Sequence, residues 1–324
     1  MIMDMRNEID IYNHLPKGHP RFLEMLSSYD VNDTYVGIEL EYMPTGTLRT
    51  YLEENHIEMV GGDGGSTPVI SARLRACWAV EIADGIGFLH KHGVIHCDIK
   101  PHNMLLDNTL GVRVIDLAGS RLGDRRSLCC ESDRFYMPRD ARDLYGTVKT
   151  DLFAVGMSLF AVVTGAQPYG EIEDRSEIIA RYKRQEFPSL AVVVATGPSK
   201  EAMVKYVTKY KSTNPDEVGR RGAPANTSAA ARALAPANAS GREVLFAGAM
   251  RRCWHGQFSS AADLLVALAE EIRATFSDSD VAYIEEACGL SLRGATVGHR
   301  LDGVAVDGTE LEKKWRSENF ILRV

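Results

Sequence analysis

The sequence has no run of about 18 apolar residues, the length a membrane-spanning helix requires. Its opening stretch, MIMDMRNEID, is too polar for a signal peptide. CxxC pairs are missing too. The cysteines stand at 77, 97, 129, 130, 253 and 288, and only Cys129 and Cys130 are close together. That spacing argues against a zinc site or a disulfide framework and for reduced thiols in a cytoplasmic or nuclear protein. Basic charge is not in excess. A formal net charge of −7 does not suggest a generic nucleic-acid surface. Neither nucleic acid nor membrane is expected as a partner, and the oligomeric state is left open.

What is present suits a globular protein. The 324 residues, 45% of them apolar, allow one large or two medium domains with a substantial core. Residues 5–15 read as a short helix with Glu8, Ile11, Tyr12 and Leu15 on one face. Phe22–Leu26 and Tyr35–Tyr42 are strand candidates around an Asn32-Asp33 turn, and a helix begins at Thr47. The glycine cluster GGDGGS at 61–66 lacks the strand and helix that aim a phosphate loop, so a flexible surface loop is expected. Leu74, Trp78, Ile82, Ile86 and Leu89 mark a long amphipathic helix ending at Gly93. Leu105–Asp107 and Val112–Ile115 read as a strand pair. Asp151–Val163 is a strongly apolar helix, and Ser176–Tyr182 suggests another. Residues 196–240 contain GAPANTSAAARALAPANAS, which lacks core formers and reads as a disordered insertion. Helices resume around Cys253-Trp254 and over Ala261–Ile272.

The stretch from His96 to Leu106 carries the chemistry. Asp98, Lys100 and Asn103 form a compact polar cluster, and Asp116 follows 18 residues after Asp98 at the end of the second strand. Two carboxylates, an amide and an ammonium suit holding Mg²⁺ and a phosphoryl group.

With these residues the chain resembles the eukaryotic protein-kinase family over roughly 6–190 and 243–272. His96-Cys97-Asp98, with Lys100 and Asn103 at their offsets, resembles the catalytic loop, and Lys100-Pro101 resembles its Ser/Thr-directed wording. Asp116-Leu117-Ala118 resembles Asp-Phe-Gly, Tyr136-Met137-Pro138 the end of the activation segment, and Glu41-Tyr42-Met43 the hinge. Asp151–Gly156 and Thr164–Tyr169 resemble the central large-lobe helix and the turn after it. The resemblance implies an α+β, two-lobe fold with a mainly α-helical large lobe. It implies that Asp98 orients the substrate hydroxyl and that Lys100 steadies the phosphoryl charge. Asn103 and Asp116 would hold Mg²⁺, while Glu41, Met43 and Leu105 would receive the adenine of ATP. Glu8 would be the small-lobe glutamate that pairs with the ATP-positioning lysine. Tyr12, Met25, His96 and Leu117 would stack into a regulatory spine anchored by Asp151.

The chain also departs from the pattern. Only seven residues precede Glu8, too few for three strands of about five residues each. The glycine-rich loop and strand lysine are therefore expected to be absent, the small lobe incomplete, and the sequence N-terminally truncated. Loss of one such charge stabiliser is worth about 3 kcal/mol, roughly a hundredfold in rate. Cys97 stands in place of an arginine, Ala118 of a glycine, and Arg139 of a glutamate whose arginine partner is also lacking after Trp254. The expected layout is 1–43 as a small-lobe remnant, 44–195 and 241–275 as large lobe, 196–240 as insertion, and 276–324 as a tail without an assigned role. The expected function is phosphoryl transfer from ATP to protein Ser/Thr hydroxyls, impaired in this chain. The alternatives are a pseudokinase-like binding module and a small-molecule phosphotransferase of the aminoglycoside-kinase type. The activation-segment length and the Asp151 helix favour a protein substrate.

Overall fold

Two helices buried on every side organise the molecule. The computed structural model describes residues 2–31, 35–55, 59–60, 66–67, 70–125, 131–139, 145–191, 243–292 and 298–299. The expectations for the Asn32-Asp33 turn, the glycines at 61–65 and the 196–240 insertion lie outside the described residues.

Helix α3 (Ala72–Lys91) starts where the Ser71 hydroxyl accepts the Leu74 N–H, and its residues 75–86 are all buried. Helix α4 (Val148–Thr164) opens with a Thr147/Thr150 capping box and closes on Gly165 at φ 72°. Its residues 150–163 are buried all round. A helix apolar on every face belongs inside the protein. Around this pair stand α5 (Arg175–Lys183), α6 (Ala247–Trp254), α7 (Ala261–Thr275) and α8 (Asp278–Cys288). Helices α7 and α8 pack on α3, and α6 packs on α4. At the α4–α6 crossing a Cβ on Gly156 would stand 2.5 Å from Cys253 Cβ, so only glycine lets the helices meet this closely.

The smaller part has α1 (Ile2–His14) and the antiparallel pair β1 (Met25–Val31) and β2 (Tyr35–Leu40). Glu8, Ile11 and Tyr12 are buried on one face of α1, and Leu15 just past its end is buried with them, as their spacing predicts. The first strand starts later than expected. Phe22 forms a single parallel bridge to Val114, and its ring packs beside His19 and Phe88. Residues 21–24 are thus a connecting segment. Arg21 ties that segment to the core: its guanidinium donates to Glu81, Asp84 and the Cys288 carbonyl, and so joins α1's connection to α3 and α8.

Helix α2 (Leu48–Asn55) follows the link between the parts. Short strands complete the frame: β3 (Met59–Val60) with β4 (Ser66–Thr67), β5 (Val94–Ile95) with β8 (Arg121–Leu122), and β6 (Met104–Leu106) with β7 (Val112–Val114). Strands β9 (Leu290–Ser291) and β10 (Gly298–His299) pair last. The fold is α+β, with small antiparallel sheets and a mainly helical larger part. No helix among the described residues is long and apolar enough to cross a membrane.

Candidate active site

The β5–β8 pair brings the chain entering His96 beside the chain leaving Asp116. Between them the loop hangs on one buried carboxylate. Asp151 of α4 accepts the His96 N–H at 2.8 Å, the Cys97 N–H at 3.0 Å and His90 Nε2–H at 2.8 Å. The His96 ring fixes the next turn. Its Nε2 lies 3.1 Å from the Ile115 carbonyl and its Nδ1 3.3 Å from the Asp98 N–H, so Nε2 carries the proton and Nδ1 accepts. Cys97 takes φ 66° with its side chain fully buried. A left-handed non-glycine residue costs on the order of 1 kcal/mol or more. Asp116 is also left-handed, at φ 64°, and its side chain is exposed.

Asp98, Lys100 and Asn103 meet as their spacing predicts. Asp98 Oδ2 accepts Lys100 Nζ at 2.5 Å and Asn103 Nδ2 at 3.0 Å, and the same amide nitrogen donates to the Asp98 carbonyl at 2.8 Å. Asp98 Oδ1 is buried without a hydrogen-bond partner among the described residues. Lys100 also reaches Ser132 Oγ at 3.3 Å, which links the loop to the following segment. Asp98 thus holds the Asn103 amide nitrogen through two contacts, which turns the amide oxygen the other way. The Ile115 N–H donates to the Asn103 carbonyl at 3.1 Å and brings the Asp116 end of β7 alongside. An amide oxygen and a carboxylate are hard oxygen donors of the kind Mg²⁺ takes, so the residues present fit that ion.

Glu8 is buried, and its Oε1 accepts the Leu117 N–H at 3.1 Å. Burial pushes its carboxyl above the usual range, against the Leu117 bond, and Asp116 adds to the rise. Asn7, which the sequence did not single out, donates to the Ala118 and Ser120 carbonyls at 2.9 and 2.8 Å. Together Glu8 and Asn7 tie the segment after Asp116 to α1. Tyr12, His96 and Leu117 are buried, and Met25 is half-buried against the same core. At the link between the parts, the Glu41 N–H donates to the Glu24 carbonyl at 2.9 Å. Met43 is buried. Leu105 is half-buried between the buried Met104 and Leu106, and it bridges to Thr47.

The segment leading to Pro138 is held by charges that the sequence did not pair. Arg139 Nη2 lies 2.7 Å from Glu131 Oε2, and both side chains are largely buried. The arginine that replaces a glutamate thus has an acidic partner eight residues upstream. Burial pushes Glu131 up, while Arg139 pulls it down. Arg134 donates to the carbonyls of Pro168, Tyr169 and Ile172 and clamps the segment onto the turn after α4. No local spacing signals these long-range contacts.

The family model described as protein kinase domain matches residues 2–218. A curated relative from Dictyostelium discoideum, named a "Probable serine/threonine-protein kinase", is 28% identical over 176 residues, covering 53% of this chain and 18% of the relative. A second from the same organism, "Probable serine/threonine-protein kinase gdt4", is 27% identical over 174 residues, covering 51% of this chain and 10% of the relative. The chain therefore spans less than a fifth of the length of these relatives. With that match over more than half its length, on a fold that brings Asp98, Lys100 and Asn103 together beside Asp116, the chain belongs to the protein kinase domain family.

Proposed function

We propose that the chain transfers the γ-phosphoryl group of ATP to Ser or Thr hydroxyls of a protein substrate. The observation that carries this reading is Asp98, whose Oδ2 is occupied by Lys100 and Asn103 while Oδ1 has no described partner. A carboxylate whose Oδ2 anchors Lys100 and Asn103 is held in a fixed orientation for accepting the proton of a substrate hydroxyl. Asp98 orients that hydroxyl and takes its proton, and Lys100 steadies the negative charge of the group in transfer. Asn103 and Asp116 would hold Mg²⁺, which supplies charge neutralisation across the phosphates when bound. The Glu41 carbonyl and Met43 backbone would receive the adenine ring, with Leu105 beneath it. Glu8 keeps the Asp116 segment in register through Leu117. The Ser/Thr direction rests on the Lys100-Pro101 wording and the relatives' names. A cytoplasmic or nuclear site of action fits the free thiols of Cys77, Cys97, Cys253 and Cys288. The lobes are assigned as 1–43 and 44–195 with 241–275.

The test is label transfer from ATP–Mg²⁺ to a degenerate Ser/Thr peptide mixture. Transfer by the wild-type chain, with loss of about a hundredfold or more in Asp98→Asn, is expected. Equal transfer by both would refute the assignment. A second reading, a pseudokinase-like binding module, is favoured by Glu8, which has no ion pair with a described cation. Under it, wild type and Asp98→Asn are equally silent.

A further inference from the structure

A cavity of about 290 Å³ lies where α4, α5 and α6 face the end of the segment at Pro138. Four rings wall it: Phe153, Tyr182, Phe187 and Trp254. Phe187 stacks on Trp254 with centroids 5.3 Å apart, and Phe153 meets Tyr182 edge-on at 5.5 Å. Met137 and Phe187 stay half-buried against this space, so apolar surface is left uncovered there. Arg139, Lys183 and Gln185 line the cavity as well, and each carries N–H donors. Gln185 Oε1 lies 3.1 Å from His255 Nδ1, which turns its amide nitrogen the other way. No acidic side chain is among the described residues that line the cavity. Glu131, which pairs with Arg139 from outside it, is pushed up by burial, so it offsets that charge only in part. The cavity opens between Arg139 and the Trp254 end of α6, the two places where the sequence departs together from the family pattern.

We propose that this cavity binds a small aromatic carboxylate, with its ring against Phe187 and Trp254 and its carboxylate toward Arg139 and Lys183. Ligand cavities start at about 300 Å³, so the space suits one ring on a short chain. Stacked and edge-on rings reward an aromatic body. A carboxylate brings the acceptors and the negative charge that the lining side chains lack. Met137, Pro138 and Arg139 end the segment that follows Asp116, so an occupied cavity braces that segment against α4 and α5. The inference goes beyond the phosphotransfer reading and does not depend on turnover.

The experiment titrates 3-phenylpropionate into the full chain by calorimetry, alongside 3-phenylpropanamide and 3-phenylpropylamine, which keep the shape and change the charge. The acid is expected to saturate one site, with the amide and the amine about tenfold weaker or more. Lys183→Gln, at the exposed end of α5, should weaken the acid about threefold or more and leave the amide unchanged. Met137→Trp, which fills the cavity, should abolish binding. Circular dichroism melts identify a variant that has lost its fold, in which case the other variant decides. Bound acid should also slow protease cleavage within 131–139. The proposal is overturned if the acid shows no saturable binding up to about 10 mM. It is equally overturned if the amide or the amine binds as tightly, or if the folded variants bind as wild type. Cleavage that saturating acid leaves unchanged overturns the bracing of the segment.

Discussion

Replacing Asp151 by asparagine should release the loop that carries Asp98. Its carboxylate is 1% exposed and takes three donors: the His96 and Cys97 N–H groups and His90 Nε2–H. Two of them, from His96 and His90, converge on Oδ2. In asparagine one oxygen becomes an NH₂ group, so at least one donor loses its acceptor and faces another donor. A hydrogen bond to a charged group contributes about 1.5–3 kcal/mol, and each buried N–H left unmet costs about 1–3 kcal/mol. Breaking such a network comes to about 3–5 kcal/mol, a large share of the roughly 5–15 kcal/mol that holds a domain together. Urea unfolding of wild type and Asp151→Asn, compared at equal slope, measures it. A loss below about 1 kcal/mol would show that Asp151 does not carry the loop.

Other consequences are equally open to measurement. Gly156→Ala places a Cβ 2.5 Å from Cys253 Cβ, and overpacking of that kind should cost about 1–3 kcal/mol or more by thermal unfolding; an unchanged melting temperature would contradict the close α4–α6 contact. Arg21→Met strands Glu81 and Asp84 in the core and should cost about 3–5 kcal/mol near neutral pH. Burial already pushes Glu81 to about 7, above its unfolded value, so its contribution is complete below the unfolded pKa and is lost as pH rises through the folded one. The deficit of Arg21→Met should therefore be larger at high pH than at low pH, and a deficit that shrinks as pH rises would refute the network. Arg139→Glu alone faces Glu131 with a like charge and should loosen the segment before Pro138, while the swap Glu131→Arg/Arg139→Glu should recover most of the loss. Protease cleavage near 131–139 reads this out, and equal cleavage of the single and double variants would deny the pairing.

The parts legible in the sequence are those whose signals are local. Asp98, Lys100 and Asn103 sit within a few residues, so their spacing alone brings them together, and a single β-hairpin adds Asp116. Helices α3 and α4 were legible from their apolar residues and their stops at Gly93 and Gly165. Strand β1 starts later than its sequence suggests because Ser27-Ser28-Tyr29-Asp30 are mostly exposed, which leaves no alternation to read. Helix α8 also carries a local signal. Ser277 caps at Asp280, and Val281, Ile284 and Cys288 recur at three and four, so residues 278–288 form a helix that packs on α3. The contacts of Asn7, Arg134 and Arg139 were not legible. Asn7 reaches partners 111 and 113 residues away, and the others depend on how the segment after Asp116 folds back. Such partners are set by tertiary packing rather than by pattern.

The most direct test of the site is calorimetric titration of ATP with Mg²⁺ into the full chain, repeated with Asp116→Ala. If Asp116 and Asn103 serve a metal–nucleotide complex, wild type binds and Asp116→Ala loses about tenfold or more in affinity, with ATP in chelator weakened alike. Wild-type binding that neither Asp116→Ala nor chelation alters, or no binding at all, would contradict the claim that this cluster is built to hold ATP–Mg²⁺.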